Sequence, residues 1–435
     1  MIGKVKFIVN GGKKLEGEIE VRGSKNAATK MMVASLLTDE ECVLENFPRI
    51  GDAEITKELC ELVGSEVKNE GHILRIKTPN ITNFRVTQLS RRNRIPILAL
   101  GPLLARTGKA EVPILGGDKI GPRPVDIHLE ALKALGARIE TDENYYHAEA
   151  PQGLKGAKIH LRYPSVGATE NTILAAVLAK GQTMIENSAI EPEIVELILM
   201  LQKMGAVIET GSDRRIYIEG VNKLKGVSHR ILPDRNEAVS FASLALAHPN
   251  NRIKVVDARQ SDLITFLNAV RRIGGEYKVE NDGIVFFGAS NLSANNIETD
   301  THPGFMTDWQ QPFVILLTQA KGTSIIHETV YEDRFGYIED LNLMGANIKV
   351  FSKCLGELPC RFAGNGQPHS AVVSGPTPLS GRNLKVRDLR AGMAHLTAAL
   401  IAEGKSVIEG VEEIDRGYED IDGRLKSLGA DIERR

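Results

Sequence analysis

A helix that ends in a hydrophobic residue, then a glycine, then a short strand occurs six times along this chain, in "ELVGSEVKN", "ALGARIET", "KMGAVIET", "RIGGEYKV", "LMGANIKV" and "SLGADIER". The glycines are Gly64, Gly136, Gly205, Gly274, Gly345 and Gly429, at separations of 72, 69, 69, 71 and 84 residues. That period exceeds the roughly 20–50 residues of a solenoid repeat and suits a whole α/β subdomain per copy. Glycine after the last helical turn supplies the left-handed position from which a strand can begin at once. A second helix falls inside each period, in "ASLLTDEECVLENF", "GPLLARTGKAEVPI", "AAVLAKGQTMIENS", "ASLALAHPNNRIKVVD", "ILLTQAKGTSIIHE" and "AALIAEGKSVIEGV". Each copy therefore reads helix, strand, loop, helix, strand, with a further strand such as "HILRIKT", "RIYIEG" or "GIVFFG" before the next copy.

Six such units in 435 residues exceed one hydrophobic core, so they group as three plus three. The break falls near "ILPDRNEA", Ile231 to Ala238, and the strand Lys4 to Val9 ahead of the first copy is free to pair with either half. Charged residues make up 25% of the chain and the formal net charge is −2, which argues against a general nucleic-acid-binding face and confines any anion site to local clusters. The N-terminal stretch has no apolar segment of signal-peptide type, and no run reaches the roughly 18–20 apolar residues of a membrane span, so a soluble cytoplasmic protein is expected. Cys42, Cys60, Cys354 and Cys360 form no CxxC pair and lie far from any His cluster of ligand spacing; they read as unpaired thiols, with no metal and no cofactor expected. His128, four residues after Pro124, reads as the partner of a neighbouring carboxylate.

Basic residues stand at or near many helix starts: Lys25, Arg94, Arg123, Arg235, Arg334, Arg390 and Arg416. The helix dipole disfavours a cation at that end by about 0.3–1 kcal/mol when exposed. One case means little, but seven are better explained by a polyanion held between guanidinium forks and backbone N–H groups. Asp118, Asp308 and Asp388 share these loops; capping is the ordinary role for Asp308 and Asp388, whereas Asp118, in "GGDKIGPRPVD", is too far ahead of the next helix to cap it.

At "GSKNAA", "LGGDKIGPRPVDIH", "PSVGAT", "LPDR", "HPGFMTD", "ETVYEDRF", "RDLRAG" and "EIDRGYE" the chain resembles the UDP-N-acetylglucosamine 1-carboxyvinyltransferase family of enolpyruvyl transferases, from about Val5 to Arg434. The resemblance implies an α/β fold of two inside-out barrel domains, each of three βαβαββ units. Residues 1–22 and 233–435 would form one domain, and 23–232 the other, carrying a mobile loop at 115–124. It implies a substrate site in the cleft between the domains, and a reaction in which the enolpyruvyl group of phosphoenolpyruvate passes to the 3′-hydroxyl of UDP-N-acetylglucosamine through a tetrahedral intermediate, releasing phosphate. Residue by residue, Lys25, Arg94, Arg123, Arg334, Arg390 and Arg416 would meet phosphoenolpyruvate or the charge developing from it. Asn26, Ser165, Val166, Gly167, Arg235 and Asp308 would face the nucleotide sugar, and Val330 and Asp388 the substrates. Asp308 would accept the hydroxyl proton, with Asp118, Lys25 and Arg416 also catalytic; no protein partner is implied.

Two departures stand out. Most of the family has cysteine at Asp118, the residue proposed to protonate the methylene carbon and the one alkylated by the epoxide fosfomycin; aspartate occurs in a minority. Two lysines common near the nucleotide are replaced by Gly51 and Pro164. Rival readings are 5-enolpyruvylshikimate-3-phosphate synthase, with the same chemistry on another acceptor, and a UDP-sugar-binding paralogue without turnover. "SVGAT" and "DKIGPRPVD" favour the sugar-nucleotide branch, and retention of Lys25, Asp308, Arg390 and Arg416 favours an enzyme. RNA 3′-phosphate cyclases share the repeat plan, but no catalytic His loop supports them.

Overall fold

A computed structural model describes residues 5–87, 89–91, 93–116, 124–358 and 360–435. Asp118, Arg123 and most of the expected loop 115–124 lie outside the described residues. The chain forms two compact units, one of residues 5–22 and 233–435, the other of residues 23–116 and 124–232.

The C-terminal unit holds three four-stranded sheets. Its fourth copy shows the plan of all: strand Glu16–Glu20, helix Arg235–Leu246, strand Arg252–Val256, helix Gln260–Arg272, then a hairpin of Glu276–Glu280 and Gly283–Phe287. The crossover through the first helix makes the first two strands parallel, with Glu18 opposite Lys254, and the hairpin closes antiparallel. The first strand comes from the N-terminus, more than 200 residues away in sequence. The strand expected at Lys4 to Val9 is Lys6–Asn10, and it belongs to this unit, inserted between Lys405–Glu409 and Asp431–Arg434 as the last strand of the sixth copy. The other unit closes likewise, its late strand Val227–Arg230 lying parallel to Glu41–Glu45 of the first copy.

Two kinds of helix divide the work. Gln260–Arg272 buries Leu263, Phe266, Leu267 and Val270 on one stripe and exposes its charges. By contrast, Arg235–Leu246 is buried at every position, and Thr307–Gln319 and Leu389–Ile401 at nearly every one. Such helices, apolar or small all round, form the centre about which sheets are arranged. Their counterparts in the other unit are Lys25–Ala34, Leu100–Thr107 and Val166–Ala176. Each unit has its own continuous core. All six repeat glycines have positive φ, from 83° at Gly274 to 112° at Gly345, a conformation that a Cβ would strain. Among the described residues, no helix is long and apolar enough to cross a membrane.

Four copies complete their hairpin in short turns, such as Gly71–His72 between Glu66–Glu70 and Ile73–Lys77. The fifth copy does not: residues 352–369 join Asn347–Phe351 to the adjacent strand Ser370–Gly375, and none of the described residues among them lies in a helix or strand. This is where the longest glycine interval, 84 residues, spends its extra length.

Candidate active site

In the C-terminal unit, Asp308 lies in the first turn of Thr307–Gln319, whose N-cap is Met306, so the capping role expected of Asp308 is not the one it has. Its carboxylate is instead shared by two buried guanidiniums. Arg334 Nη2 donates to Oδ1 at 2.7 Å and Arg390 Nε to Oδ2 at 3.1 Å. Burial alone would raise the Asp308 pKa, but the charges and hydrogen bonds of Arg334 and Arg390 more than reverse it and hold the carboxyl well below its ordinary range. Both arginines have second anchors: Arg334 Nη1 donates to Thr307 Oγ1 at 3.0 Å, and Arg390 Nη1 to the Tyr418 hydroxyl at 3.1 Å, which shares a 2.8 Å hydrogen bond with Ser240. Forks held at several nitrogens lose little entropy when they meet an anion.

Asp388 does cap its helix, accepting from the amides of Arg390 and Ala391 at 3.0 Å each. Arg235 opens its helix after the N-cap Asp234, contacts His302 Nδ1 at 3.3 Å and stacks 5.7 Å from the centre of the Trp309 ring, beside Asp308 in sequence. Val330 belongs to a turn organised by fully buried Glu328, which accepts from the amides of Val330 and Tyr331 at 2.9 and 3.0 Å and from Thr307 and Gln310 at 3.0 Å each. Of the six candidate basic residues among the described ones, two do not lead a helix. Arg334 stands four residues ahead of Ile338–Leu343, and Arg416 follows Val411–Asp415 as its C-cap, bound to Glu413 at 3.0 Å. Their placement is set by tertiary packing and not by the dipole.

In the other unit, Lys25 is the first residue of its helix and pairs at 3.0 Å with Asp52, a buried acid in the first turn of Gly51–Leu62; Asn26 follows, half-buried. Ser165 caps Val166–Ala176, its hydroxyl accepting from Ala168 N at 3.3 Å, with Pro164 just before it. Gly167 is glycine for a steric reason: a Cβ there would stand 2.9 Å from His128 Cε1. His128 is buried and faces the Asn171 amide at 3.4 Å, in place of the expected carboxylate. Burial, and then the charge of Arg94, push its pKa down to about 3, so the ring is neutral. Arg94 caps the short turn Ile95–Ala99 ahead of Leu100–Thr107. The structure thus brings Arg94, His128 and Gly167 together, and separately Lys25 and Asp52. A surface hollow of about 570 Å³ lined by Thr38, Asp39, Arg106, Lys180 and Lys223 contains none of the candidate residues.

The supports Tyr418, Ser240, Thr307, Glu328 and Asp52 were not singled out by sequence reasoning. Tyr418 and Glu328 lie within the quoted motifs "EIDRGYE" and "ETVYEDRF", but only folding shows that a tyrosine and a buried acid brace the arginines and the Val330 turn. All four cysteines are free, as expected, but the expectation that none lies near a histidine cluster needs correction. Cys42 and Cys60 are buried thiols, but Cys354 and Cys360 lie with His327 and His369, the four ligand-type atoms all within 4.8 Å of one another. Cys354, Cys360 and His369 lie within sixteen residues of one another, and the pairing of His327 with Ser370 brings in His327 from an earlier strand.

The fold is thus two units of three repeats, one with an arginine-clamped carboxylate and the other with a serine-capped helix start. The model of EPSP synthase (3-phosphoshikimate 1-carboxyvinyltransferase) matches residues 9–425, and the chain belongs to that family. Within it, the chain is 52% identical over 431 residues to UDP-N-acetylglucosamine 1-carboxyvinyltransferase of Chlamydia pneumoniae, covering 98% of this chain and 94% of that one. It is 50% identical over 433 residues to the protein of the same name from Protochlamydia amoebophila, covering 98% and 93%. The crystal structure of the enolpyruvyl transferase NikO from Streptomyces tendae superposes with a TM-score of 0.85 over 99% of both chains at 21% identity, which establishes the shared fold.

Proposed function

We propose that this protein transfers the enolpyruvyl group of phosphoenolpyruvate to the 3′-hydroxyl of UDP-N-acetylglucosamine and releases phosphate, a step of peptidoglycan synthesis. Identity of about half over nearly the whole chain to enzymes of that name supports the acceptor. The observation that carries the chemistry is Asp308 held between Arg334 and Arg390. In that state the carboxylate is ionised but weakly basic. An anionic substrate that draws on the same guanidiniums relieves this hold, and Asp308 then accepts the hydroxyl proton as the oxygen bonds to C2 of phosphoenolpyruvate. The methylene carbon takes a proton from the acid at Asp118. In the second half the bond from C2 to the phosphate oxygen breaks, C3 returns a proton to the carboxylate at Asp118 as the enol ether forms, and the proton taken up by Asp308 leaves with phosphate. Lys25, Arg94, Arg123, Arg390 and Arg416 meet the phosphate and carboxylate charges, while Asn26, Ser165, Val166, Gly167, Arg235 and Val330 hold the nucleotide sugar.

Phosphate release tests the reading. With phosphoenolpyruvate present, release is expected with UDP-N-acetylglucosamine and not with shikimate 3-phosphate or with either substrate alone. Release only with shikimate 3-phosphate would overturn the acceptor, and binding of the UDP-sugar without turnover would point to the non-catalytic reading.

A further inference from the structure

The fifth repeat carries a group of side chains that group transfer does not use. His327 ends strand Gly322–His327, and His369 immediately precedes strand Ser370–Gly375, paired with it, so the two histidines meet at one end of the sheet with ring centres 5.8 Å apart. Cys354 and Cys360 come from the connection 352–369 that folds over this end. Both histidines are fully buried. Each has its Nδ1 on an oxygen: that of His327 lies 2.9 Å from Glu298 Oε2, and that of His369 2.7 Å from the carbonyl of Gln367. A carbonyl and a carboxylate accept, so both Nδ1 atoms carry the proton and both Nε2 lone pairs are left for the cluster. His369 Nε2 lies 3.2 Å from Cys354 Sγ, and the buried His327 Nε2 has no hydrogen-bond partner among the described residues.

The surroundings hold this arrangement. Glu298 pairs with His327 across parallel strands and also accepts from the amides of Glu357 and Leu358 at 3.0 and 2.9 Å, so one carboxylate fixes both the ring and the connection. Gly356 packs so closely there that a Cβ would stand 2.1 Å from Glu298 Oε2 and 2.4 Å from His327 Nδ1. Cys360 Sγ accepts from Phe362 N at 3.4 Å, as a thiolate ligand does. A disulfide between the two cysteines would leave both buried imidazole nitrogens without a partner.

We propose that His327, Cys354, Cys360 and His369 bind one zinc ion in a tetrahedral shell of two sulfurs and two nitrogens. Zinc bonds of about 2.0–2.1 Å to nitrogen and 2.3 Å to sulfur place neighbouring ligand atoms about 3.3–3.8 Å apart, inside the separations this cluster has. Imidazoles fixed through Nδ1 by a carboxylate and a carbonyl are the usual outer support of such a site. Four protein ligands leave no open position, so the ion is structural and takes no part in the transfer. Its work is to close the one long connection of the repeat. Through that connection Arg361, which donates to the Val330 carbonyl, is held against the turn that Glu328 organises.

The test uses the full-length chain purified under reducing conditions without added chelator. Elemental analysis should find about one zinc per chain. Exchange with cobalt(II) should give the visible bands of a tetrahedral ion and a thiolate charge-transfer band in the near ultraviolet. Cys354→Ser and Cys360→Ser should lose the metal, and Cys42→Ser should keep it. Should the first two fail to fold, a mercurial titrated into the wild type should release zinc with two thiols consumed per ion. Trypsin should cut the metal-stripped chain after Lys353 and Arg361 at least tenfold faster than the loaded one. A chain without zinc that also gives no tetrahedral cobalt spectrum when reduced, or one whose intact mass shows a Cys354–Cys360 disulfide and no metal, would overturn the proposal.

Discussion

With Arg334 and Arg390 on its two oxygens, Asp308 is held ionised and weakly basic, and in the proposed reaction a substrate anion that competes for the guanidiniums would free it to act as the base. Asp308→Asn keeps the shape and one acceptor but removes the proton sink. Turnover should fall by about 10²–10⁴-fold, while calorimetric affinity for UDP-N-acetylglucosamine stays within about tenfold, or 1.4 kcal/mol. Near-normal turnover would remove Asp308 from the base role. At Asp118 a carboxylate is a far poorer nucleophile toward an epoxide than a thiolate. Wild type should therefore keep full activity after long exposure to fosfomycin, and Asp118→Cys should stay active and become inactivated with a covalent adduct. A fosfomycin adduct on the wild-type chain would show the reactive group to be elsewhere. His128 offers a pH signature. Its folded-state pKa of about 3 lies below the ordinary 6.5, so its contribution to stability is complete above pH 6.5 and is lost as pH falls toward 3. By pH 5 the loss is about 2 kcal/mol. In His128→Gln that component is absent, and the urea midpoint should fall less between pH 7 and pH 5 than in wild type; equal falls would count against a buried neutral ring.

At the scale of elements, the helix Leu389–Ile401 is buried along most of its length, and Asp388 satisfies two of its first amides. Asp388→Ala should cost about 1 kcal/mol, within the 0.5–2 range of lost caps, and Asp388→Asn should recover most of it in thermal unfolding. A neutral result for the alanine variant would mean that Arg390 and its neighbours position the helix start without the cap. The inner and outer helices differ in composition, since "VSFASLALA" and "AHLTAALI" carry no polar stripe whereas "SDLITFLNAVRR" does. The bracing of the arginines was not, because Arg334, Asp308 and Arg390 sit on three different segments and nothing local to any of them records the other two.

Over the whole molecule, chain order and unit membership differ. Residues 23–232 contain the complete core of one unit, and the other needs Lys6–Asn10 inside one of its sheets and Glu16–Glu20 at the edge of another. A fragment of residues 23–232 should therefore unfold cooperatively in urea. A fragment of 233–435 should not, because two sheets lose a strand with inward-facing Phe7, Val9 and Ile19; adding the 1–22 peptide should restore a transition. Cooperative unfolding of 233–435 alone would contradict the account.

What the sequence determined by itself is what repeats locally: six glycine-ended helices, the α/β class, the three-plus-three grouping and the charged motifs that name a family. These rest on periodicity and on backbone conformations that a few neighbouring residues dictate. The tertiary structure alone decided what depends on segments far apart in the chain. It put the first strand in the C-terminal unit, turned Asp308 from a cap into the shared anion of two arginines, gave His128 an amide in place of a carboxylate, and drew His327 beside Cys354, Cys360 and His369. Each is a meeting of side chains fixed by strand register and helix packing, which spacing along the chain does not encode.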